Sequence, residues 1–480
     1  MRRTVLIGFS ALAATAALAA SAAELSATSG RRIFRFGGEA SDVIATFAGS
    51  SALLRPGVRR CAACHGADGT GVREGGVTIP PITWRVLTAP REASAGRAGR
   101  PGYDETTLRR ALAGGIDSAG VPLAAGMPRF QLTPAQATAL FDHLRIVGSE
   151  RDLDPGVADD EIRVGTVLPL SGTHAASGQA MRAGIEAALE SAGAIYGRRL
   201  RLVAVDAGDN AAAALARLAA SDQVFALVAS VLAGEADTIA MTDDLPIIGP
   251  VAPTPARPAV TQFYLLAPLE DQMRVLVDEL ASETPHGLRL AVIGPDGSVA
   301  DAVADQATRN GAIIVRRVLA DDGAAALAQA IEPAPDAVLA LPGVDLRRLV
   351  AELDSRPGDW LLAGPAEALA PGAASNERLR LVLPLLPGDP HSRDASTTPT
   401  MPPAAVAATA VLVEGLKRMG ARATRAGLVA AIETVRDFPT GVLPPVSFAR
   451  GQHGGNRASV VIRPDRSGGI VVLGDWRAPR

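Results

Sequence analysis

The sequence predicts a multidomain chain in which an all-α domain is followed by a two-lobed α/β domain. Capped helices with apolar stripes indicate the first domain, and repeated strand–helix alternation from residue 162 onward indicates the second. Between them, residues 151–161 are acidic, contain Pro-Gly and show no hydrophobic periodicity, which is typical of a linker. The predicted segments are an export signal (1–23), the all-α domain (24–150), the linker (151–161) and the α/β domain (162–480).

Length and composition agree with several folded domains. At about 150 residues per domain, 480 residues correspond to about three compact units. A hydrophobic content of 48% and a charged content of 20% allow sizeable cores and argue against disorder. The formal net charge of −3 gives no basic footprint for nucleic acid, so no nucleic-acid partner is expected.

The first residues have the pattern of an export signal. Arg2-Arg3 precedes an apolar run over 5–20 and an Ala-Ser-Ala site, which predicts cleavage near Ala22/Ala23. An uncleaved membrane anchor is the alternative, although the run is slightly short for the roughly 20 residues of a spanning helix. We therefore expect a soluble mature protein in the periplasm.

Within the all-α domain, local signals place helices on both sides of a cysteine motif. A short helix begins near Ser29 and is ended by Gly37. A later helix has Asp104 as its N-cap, and the last has Thr133 as N-cap with Pro134 at its first position. The apolar stripes of these two helices are Leu108, Ala111 and Leu112, and Ala137, Leu140, Phe141 and Leu144.

The motif Cys61-Ala-Ala-Cys64-His65 is the strongest chemical signal in the chain. Cys-x-x-Cys-His is the attachment site of c-type haem, in which two thioethers hold the macrocycle and the histidine ligates iron. The chain has only 2 cysteines, and both lie here, so one covalent haem c is predicted and no disulfide. A reduced redox or metal-binding cysteine pair with an incidental histidine is the alternative.

Haem iron needs a second axial ligand or an open position. Met127 lies in a Gly-Met-Pro loop before the last helix, where a thioether can reach the opposite haem face. The alternative role for Met127 is packing in the core. His143 is the rival ligand, but its place beside the Leu140/Leu144 stripe favours a solvated or packing role.

With these motifs in their order, residues 29–147 resemble a class I cytochrome c domain. The resemblance rests on the Cys61–His65 motif, the Pro80-Pro81 turn and Met127-Pro128. It implies that a backbone carbonyl near Pro80 or Pro81 orients the His65 ring. Aromatic residues are scarce, and the candidates that would pack against haem are Trp84, Tyr103, Phe130 and Phe141.

From residue 162 the chain alternates between strand and helix patterns. Such βαβ alternation predicts parallel sheets with helices on both faces, and ligands in these folds bind beyond the carboxyl ends of the strands. Two separate series of strands predict two lobes. The predicted strands are 162–168, 200–206, 225–228 and 246–249 in the first series, and 288–293, 313–315, 337–340 and 360–362 in the second.

This half resembles type I periplasmic binding proteins, most closely the group that binds branched-chain amino acids and amides. The resemblance rests on segments 164–172, 206–209, 246–250 and 443–448. It implies two lobes joined by three crossings and a ligand captured in the cleft by hinge closure. The ligand-contacting loop positions that it implies are Ser177, Ser230, Val231, Pro253 and Thr254.

Several of these positions depart from the pattern of the amino-acid binders. Ser177 stands where an aromatic residue is common, and Pro253 where a hydroxyl is expected. In the second lobe, segment 293–298 lacks the usual tyrosine, and Ala366 occupies the acidic position beside Glu367. A less polar or anionic organic ligand is therefore as consistent with the cleft as a free amino acid.

These features favour an electron carrier fused to a solute-binding module. The second half has no GxSxG elbow, no P-loop and no metal-spaced histidines, so no enzymatic activity is expected. The expected partners are a small organic ligand and periplasmic redox proteins, namely a dehydrogenase, a terminal oxidase or another cytochrome. One alternative is the solute-binding component of an ATP-driven importer with a membrane permease and accessory haem. The other is the electron-transfer subunit of a quinoprotein-type dehydrogenase complex.

Overall fold

The chain forms two compact units with their sequence boundary between Leu153 and Asp154, inside the predicted linker. Residues up to Leu153 form the N-terminal unit, and residues from Asp154 onward form the C-terminal unit. The computed structural model describes residues 30–38, 43–74, 77–93, 99–149, 151–220, 224–232, 244–251, 254–255, 258–319, 323–353, 355–356, 358–366, 376–386, 402–464 and 470–480. The predicted export signal and its cleavage site lie outside these residues.

Helices make most of the regular structure in the N-terminal unit. Residues 30–36 are helical and end at Gly37 and Gly38, whose positive φ angles of 81° and 75° suit a helix terminus. The other helices are Pro56–Arg59, Cys61–His65, Trp84–Thr88, Glu105–Gly114 and Pro134–Ile146. Asp104 and Thr133 cap the last two helices with reciprocal capping boxes, which confirms both predicted N-caps.

The core of the N-terminal unit is built where three helices turn their apolar faces to one another. Ile33 and Phe34 of the first helix pack with residues of the two capped helices. Both predicted apolar stripes are buried in this cluster, because residues spaced three and four apart share one helix face. The buried members include Leu108, Ala111, Leu112, Ala137, Leu140, Phe141 and Leu144.

The prediction of an all-α domain is only partly right, because two antiparallel strand pairs accompany the helices. Ile44–Thr46 pairs with Arg129–Gln131, and Val72–Glu74 pairs with Val77–Ile79. In the sequence, Gly75-Gly76 lies between the two strands of the second pair. Two glycines between short strand-like segments are a hairpin signal. The first pair joins residues far apart in the chain, which no local pattern indicates.

The first lobe of the C-terminal unit contains a five-stranded parallel sheet. Its strands are Glu161–Leu168, Arg199–Asp206, Ala226–Val228, Ile247–Ile248 and Gln262–Phe263. Their spatial order places the first strand between the second and the third, followed by the fourth and fifth. Its helices are Ala175–Ala192, Ala211–Ala220, Pro402–Met419 and Arg425–Ile432.

The second lobe contains a seven-stranded sheet. Five neighbouring strands are parallel, and four of them were predicted. The parallel strand Leu379–Leu383 and the two antiparallel strands at one edge, Ser459–Pro464 and Ile470–Arg477, were not predicted. The strands in spatial order are Ile313–Val318, Arg289–Ile293, Ala337–Ala340, Leu361–Pro365, Leu379–Leu383, Ser459–Pro464 and Ile470–Arg477. The helices are Leu269–Glu283, Ser298–Arg309, Gly323–Ala330 and Leu346–Leu353.

The chain passes between the lobes three times, as the resemblance implies. It leaves the first lobe after Phe263, returns before Pro402 and crosses again before Ser459. The first and third crossings are paired, because Tyr264 N–H donates to His453 O at 2.8 Å and Gly455 N–H donates to Tyr264 O at 2.8 Å. A hinge between two lobes is built from such paired crossings.

Candidate functional site

The cysteine motif forms one short helix, Cys61–His65. Spacing of three residues places Cys61 and Cys64 on neighbouring positions of one helix face, with His65 beside them. Cys61 is half-buried, Cys64 is exposed and His65 is only 7% exposed. The helix therefore presents two thiols at the surface of the core and directs one imidazole inward.

The His65 ring is held by the backbone of the proline turn. Its Nδ1 lies 2.8 Å from the carbonyl oxygen of Pro80, which confirms the implied contact. Gly71 lies close to that turn, since a Cβ there would lie 2.4 Å from the Ile79 oxygen, and its φ is +81°. An Nδ1–H that donates to a carbonyl leaves the Nε2 lone pair free to bind a metal.

Met127 lies at the edge of the same core. It is partly buried and, like Cys61 and Trp84, packs against the cluster of buried residues. Its N–H donates to Ala124 O at 3.0 Å, which closes a turn in the loop before the last helix. The structure thus brings the methionine and the cysteine motif to one core, from positions far apart in the sequence.

His143, the rival ligand, has a packing role. The ring is 1% exposed, and its centroid lies 5.2 Å from that of Phe34 in an edge arrangement. Burial lowers the pKa of His143 to about 4, while the nearby Asp152 carboxylate acts in the opposite direction. The imidazole is therefore a neutral group of the core at neutral pH. Of the two predicted roles, solvated or packing, this agrees with packing.

In the C-terminal unit, the predicted ligand positions lie at the carboxyl ends of strands in the first lobe. Ser177 is half-buried in the first turn of helix Ala175–Ala192, and Thr254 is half-buried. Ser230 and Val231 follow the third strand. Pro253 lies outside the described residues.

Two of these positions already bond within the protein. Ser230 is fully buried, and its hydroxyl oxygen accepts a hydrogen bond from Val167 N–H at 3.1 Å. Thr254 Oγ1 donates to Leu266 O at 3.1 Å. These hydroxyls hold neighbouring segments of the lobe together, and their contact with a ligand stays a prediction.

A carboxylate that the sequence analysis did not single out as a site residue lies at the same sheet edge. Asp206 ends the second strand and accepts hydrogen bonds from Leu170 N–H at 2.9 Å and Gly208 N–H at 3.1 Å. The hydrogen bond from the Ser171 hydroxyl, together with these backbone bonds, holds the pKa of Asp206 below its usual range. An aspartate at a predicted strand end, two residues before a glycine, was the available sequence signal.

In the second lobe, the corresponding loop contains paired charges. Asp296 lies 2.5 Å from the Arg317 guanidinium, and Ser298 donates to Glu270 at 2.8 Å. No tyrosine lies in this loop, as the sequence already indicated. Ala366 follows the strand Leu361–Pro365, and Glu367 lies outside the described residues.

Family models match both units. The model for cytochrome c matches residues 58–147, and the model for periplasmic binding proteins matches residues 161–376. The chain joins a cytochrome c domain to a periplasmic binding protein domain. No curated protein sequence matches the chain at a significant level.

Solved structures similar to this chain share the fold of the periplasmic binding protein domain. A fatty acid ABC transporter substrate-binding protein from Thermomonospora curvata is 18% identical, with a TM-score of 0.54 over 68% of this chain and 94% of its own. A leucine-binding protein from Thermotoga maritima is 17% identical, with a TM-score of 0.53 over 65% and 97%. A branched-chain amino acid transporter substrate-binding protein from Streptococcus pneumoniae, in complex with isoleucine, is 19% identical, with a TM-score of 0.51 over 67% and 100%.

A cytochrome c domain implies covalently bound haem, and the residues of this domain fit that group. Burial lowers the pKa of His65, which keeps the imidazole neutral as iron ligation requires. Burial also raises the pKa of the Cys61 thiol to about 12, which disfavours a thiolate at neutral pH. Among the described residues, no group of three or more His, Cys, Asp or Glu side chains could hold a metal ion.

Neither domain shows a membrane span among its described helices. No helix in that part of the chain is both long enough and apolar enough to cross a bilayer.

Proposed function

We propose that the cytochrome c domain carries one electron at a time through a single haem attached to Cys61 and Cys64, with His65 and Met127 as axial ligands. The observation that carries the proposal is the 2.8 Å contact between His65 Nδ1 and Pro80 O, which fixes the ring with Nε2 available to iron. Covalent haem supplies the reversible one-electron chemistry. The domain is expected to act as a carrier rather than as an enzyme.

Two properties of the proposed ligand residues favour electron transfer. His65 is buried and neutral, so its ligation does not depend on losing a proton near neutral pH. Met127 is held in a closed turn against the core, which limits its movement between oxidation states. If His65 and Met127 both bind the iron, no position would be left for oxygen or peroxide, and His/Met ligation would raise the reduction potential.

For the periplasmic binding protein domain, we propose capture of a small organic ligand between the lobes. Support comes from the two-lobed fold with three crossings, and from similar proteins that are named for fatty acid or leucine or are in complex with isoleucine. Ser177, Ser230, Val231, Pro253 and Thr254 remain the proposed ligand positions, and Asp206 adds a fixed negative charge beside them.

The fused protein would work in the periplasm, where both families typically act. In this proposal it accepts electrons from a dehydrogenase and passes them to a terminal oxidase or another cytochrome. The binding domain captures that enzyme's substrate or product. The similar transporter substrate-binding proteins favour a second candidate, in which the domain delivers ligand to an ABC permease and the haem is accessory.

Axial ligation is tested by replacing Met127 with leucine, with buried Met181→Leu in the other domain as the control. The wild type and the control should show the methionine–iron charge-transfer band of the ferric protein, and Met127→Leu should lose it. A Cys61→Ser/Cys64→Ser double variant should contain no covalently attached haem on a denaturing gel. An unchanged spectrum of Met127→Leu would contradict the proposed ligation.

Ligand binding is tested by thermal shift on the holo-protein across amino acids, amides, fatty acids and organic acids, with the haem potential measured in parallel. A ligand at 100 times its dissociation constant adds about 2.7 kcal/mol to the free energy of unfolding. A hit that also shifts the haem potential supports coupling, and equal potentials with and without ligand contradict it. No hit in the whole set favours a dehydrogenase subunit with the domain as a docking surface.

A further inference from the structure

Arg129 occupies an unusual position for an arginine, because its guanidinium turns back onto the loop that carries Met127. The residue begins the short strand Arg129–Gln131, which pairs with Ile44–Thr46. Nη1 donates to the backbone oxygen of Met127 at 2.5 Å, and Nη2 lies 3.4 Å from the backbone oxygen of Leu123. One charged group therefore joins two points of the loop to a strand anchored in the fold.

The base of the loop is shaped to admit this guanidinium. Gly115 ends the helix Glu105–Gly114 with a left-handed φ of 69°. A Cβ at Gly115 would lie 1.9 Å from Nε and 2.1 Å from Cζ of Arg129, so only glycine leaves room for the arginine. Leu123 N–H donates to Gly115 O at 2.7 Å, which ties the same loop to the helix end.

We propose that Arg129 is a positioning residue that holds the Met127 sulfur at the haem iron, and that Gly115 leaves the space that its guanidinium occupies. The inference rests on the proposed ligation by Met127. A hydrogen bond from a charged donor is worth more than a neutral one, and two such bonds to one loop oppose its opening. Without them, the carbonyls of Met127 and Leu123 lose their charged donor and the methionine leaves the iron more often.

The test measures how easily imidazole displaces the native sixth ligand from the ferric holo-protein. Apparent imidazole affinity rises with the fraction of protein in which Met127 is released. Arg129→Gln and Gly115→Ala should each increase that affinity about ten- to a hundredfold, the range expected for lost charged hydrogen bonds. Both should also weaken the methionine–iron charge-transfer band, and Arg129→Lys, which can reach only one carbonyl, should fall between them and wild type.

Matched controls separate this role from backbone strain and from simple loss of charge. Gly120 lies in the same loop with a φ of 86°, and a Cβ there would meet nothing within 4 Å. Gly120→Ala therefore reproduces the left-handed strain of Gly115→Ala without the collision. Arg85→Gln, at an exposed position of helix Trp84–Thr88, removes an equal charge. Both controls should stay within about twofold of wild type, since surface changes have small effects.

The outcomes separate failure of the inference from failure of the proposed ligation. A wild-type protein without the methionine–iron band would refute Met127 as ligand. A wild type with the band, and Arg129→Gln indistinguishable from Arg85→Gln, would overturn the role of Arg129. If Gly115→Ala yields no holo-protein, the Arg129→Gln and Arg129→Lys pair decides the question.

Discussion

The cytochrome c domain and the periplasmic binding protein domain differ in how their site residues are distributed along the sequence. In the first, two thiols and an imidazole share one five-residue helix, and the carbonyl that orients the ring lies 15 positions later. In the second, the predicted ligand positions run from Ser177 to Thr254, and Ser230 and Thr254 already bond to their own lobe. Site residues that share one short helix can be predicted from the sequence, whereas site residues spread over distant loops cannot.

A second comparison is between one buried ionisable side chain in each domain. The binding domain buries Arg425, whose guanidinium donates to Phe225 O at 3.1 Å, Val224 O at 2.7 Å and the Asp244 carboxylate at 2.7 Å. The cytochrome c domain buries the neutral imidazole of His143 against Phe34, and it also buries arginines such as Arg59. If the domains are energetically separate, each group can be removed with an effect confined to its own domain.

The largest effect is expected from Arg425→Met. The change leaves two carbonyls and a partly exposed carboxylate without their donor, and loss of one partner of a buried pair costs about 3 kcal/mol or more. Arg425 and Asp244 also line a pocket of about 500 Å³. Water entering this pocket should keep the loss of stability at about 3 kcal/mol. Urea unfolding followed by far-UV circular dichroism would measure the change in the free energy of unfolding.

The control for Arg425→Met is Arg182→Met, which breaks an exposed i,i+4 pair with Glu186 at 2.9 Å. That change should cost no more than about 0.5 kcal/mol. The haem absorbance transition should stay where it is in both variants. If Arg425→Met moves the haem transition as far as the circular dichroism transition, the two domains unfold as one.

A smaller, pH-dependent effect is expected from His143. The pKa falls from 6.5 in the unfolded chain to about 4 in the folded domain, so the unfolded state binds more protons between these values. The stability of the cytochrome c domain should therefore fall as the pH is lowered from about 6.5 to 4. At 1.36 kcal/mol per pKa unit, the loss is at most roughly 3 kcal/mol.

Comparing wild type with His143→Leu isolates this contribution from that of titrating carboxylates. Asp152, Arg35 and Arg31 are the charged groups that act on the ring, and they are the same in both proteins. The variant should show a flatter dependence of the haem absorbance transition on pH, and exposed His286→Leu should keep the wild-type slope. Equal slopes for all three proteins would show that His143 does not titrate on unfolding.

The same contrast between local and distant contacts explains which elements could be predicted. The caps at Asp104 and Thr133 were predictable because each depends on four neighbouring residues. Four of the five first-lobe strands were predicted, because buried parallel strands form continuous apolar runs. The two-residue strand Gln262–Phe263 was not predicted. Strand Ile470–Arg477 was missed because its burial alternates irregularly and its pairing with Ser459–Pro464 has to be seen in three dimensions.

For the candidate site, the sequence identified the groups that touch haem and missed the groups that hold them. Cys61, Cys64, His65 and Met127 follow a recognised order, so the resemblance could name them. Nothing in the sequence distinguishes Arg129 from the domain's other arginines, since its role depends on a fold that places Gly115 against it. Likewise, no pattern could show that the Ser230 hydroxyl is engaged by Val167 N–H.

The smallest effect is expected from removing the Thr133 cap, a contact between residues that are close in the sequence. Thr133 Oγ1 accepts from Gln136 N–H at 3.2 Å, and Gln136 Oε1 accepts from Thr133 N–H at 2.9 Å. Thr133→Ala should lower the free energy of unfolding of the cytochrome c domain by about 1 kcal/mol. Thr138→Ala, on the same helix, removes only a back-bond to Pro134 O and a contact with Arg109, and should change little. Equal effects of the two substitutions on the haem absorbance transition would mean that packing alone, rather than the cap, defines where this helix begins.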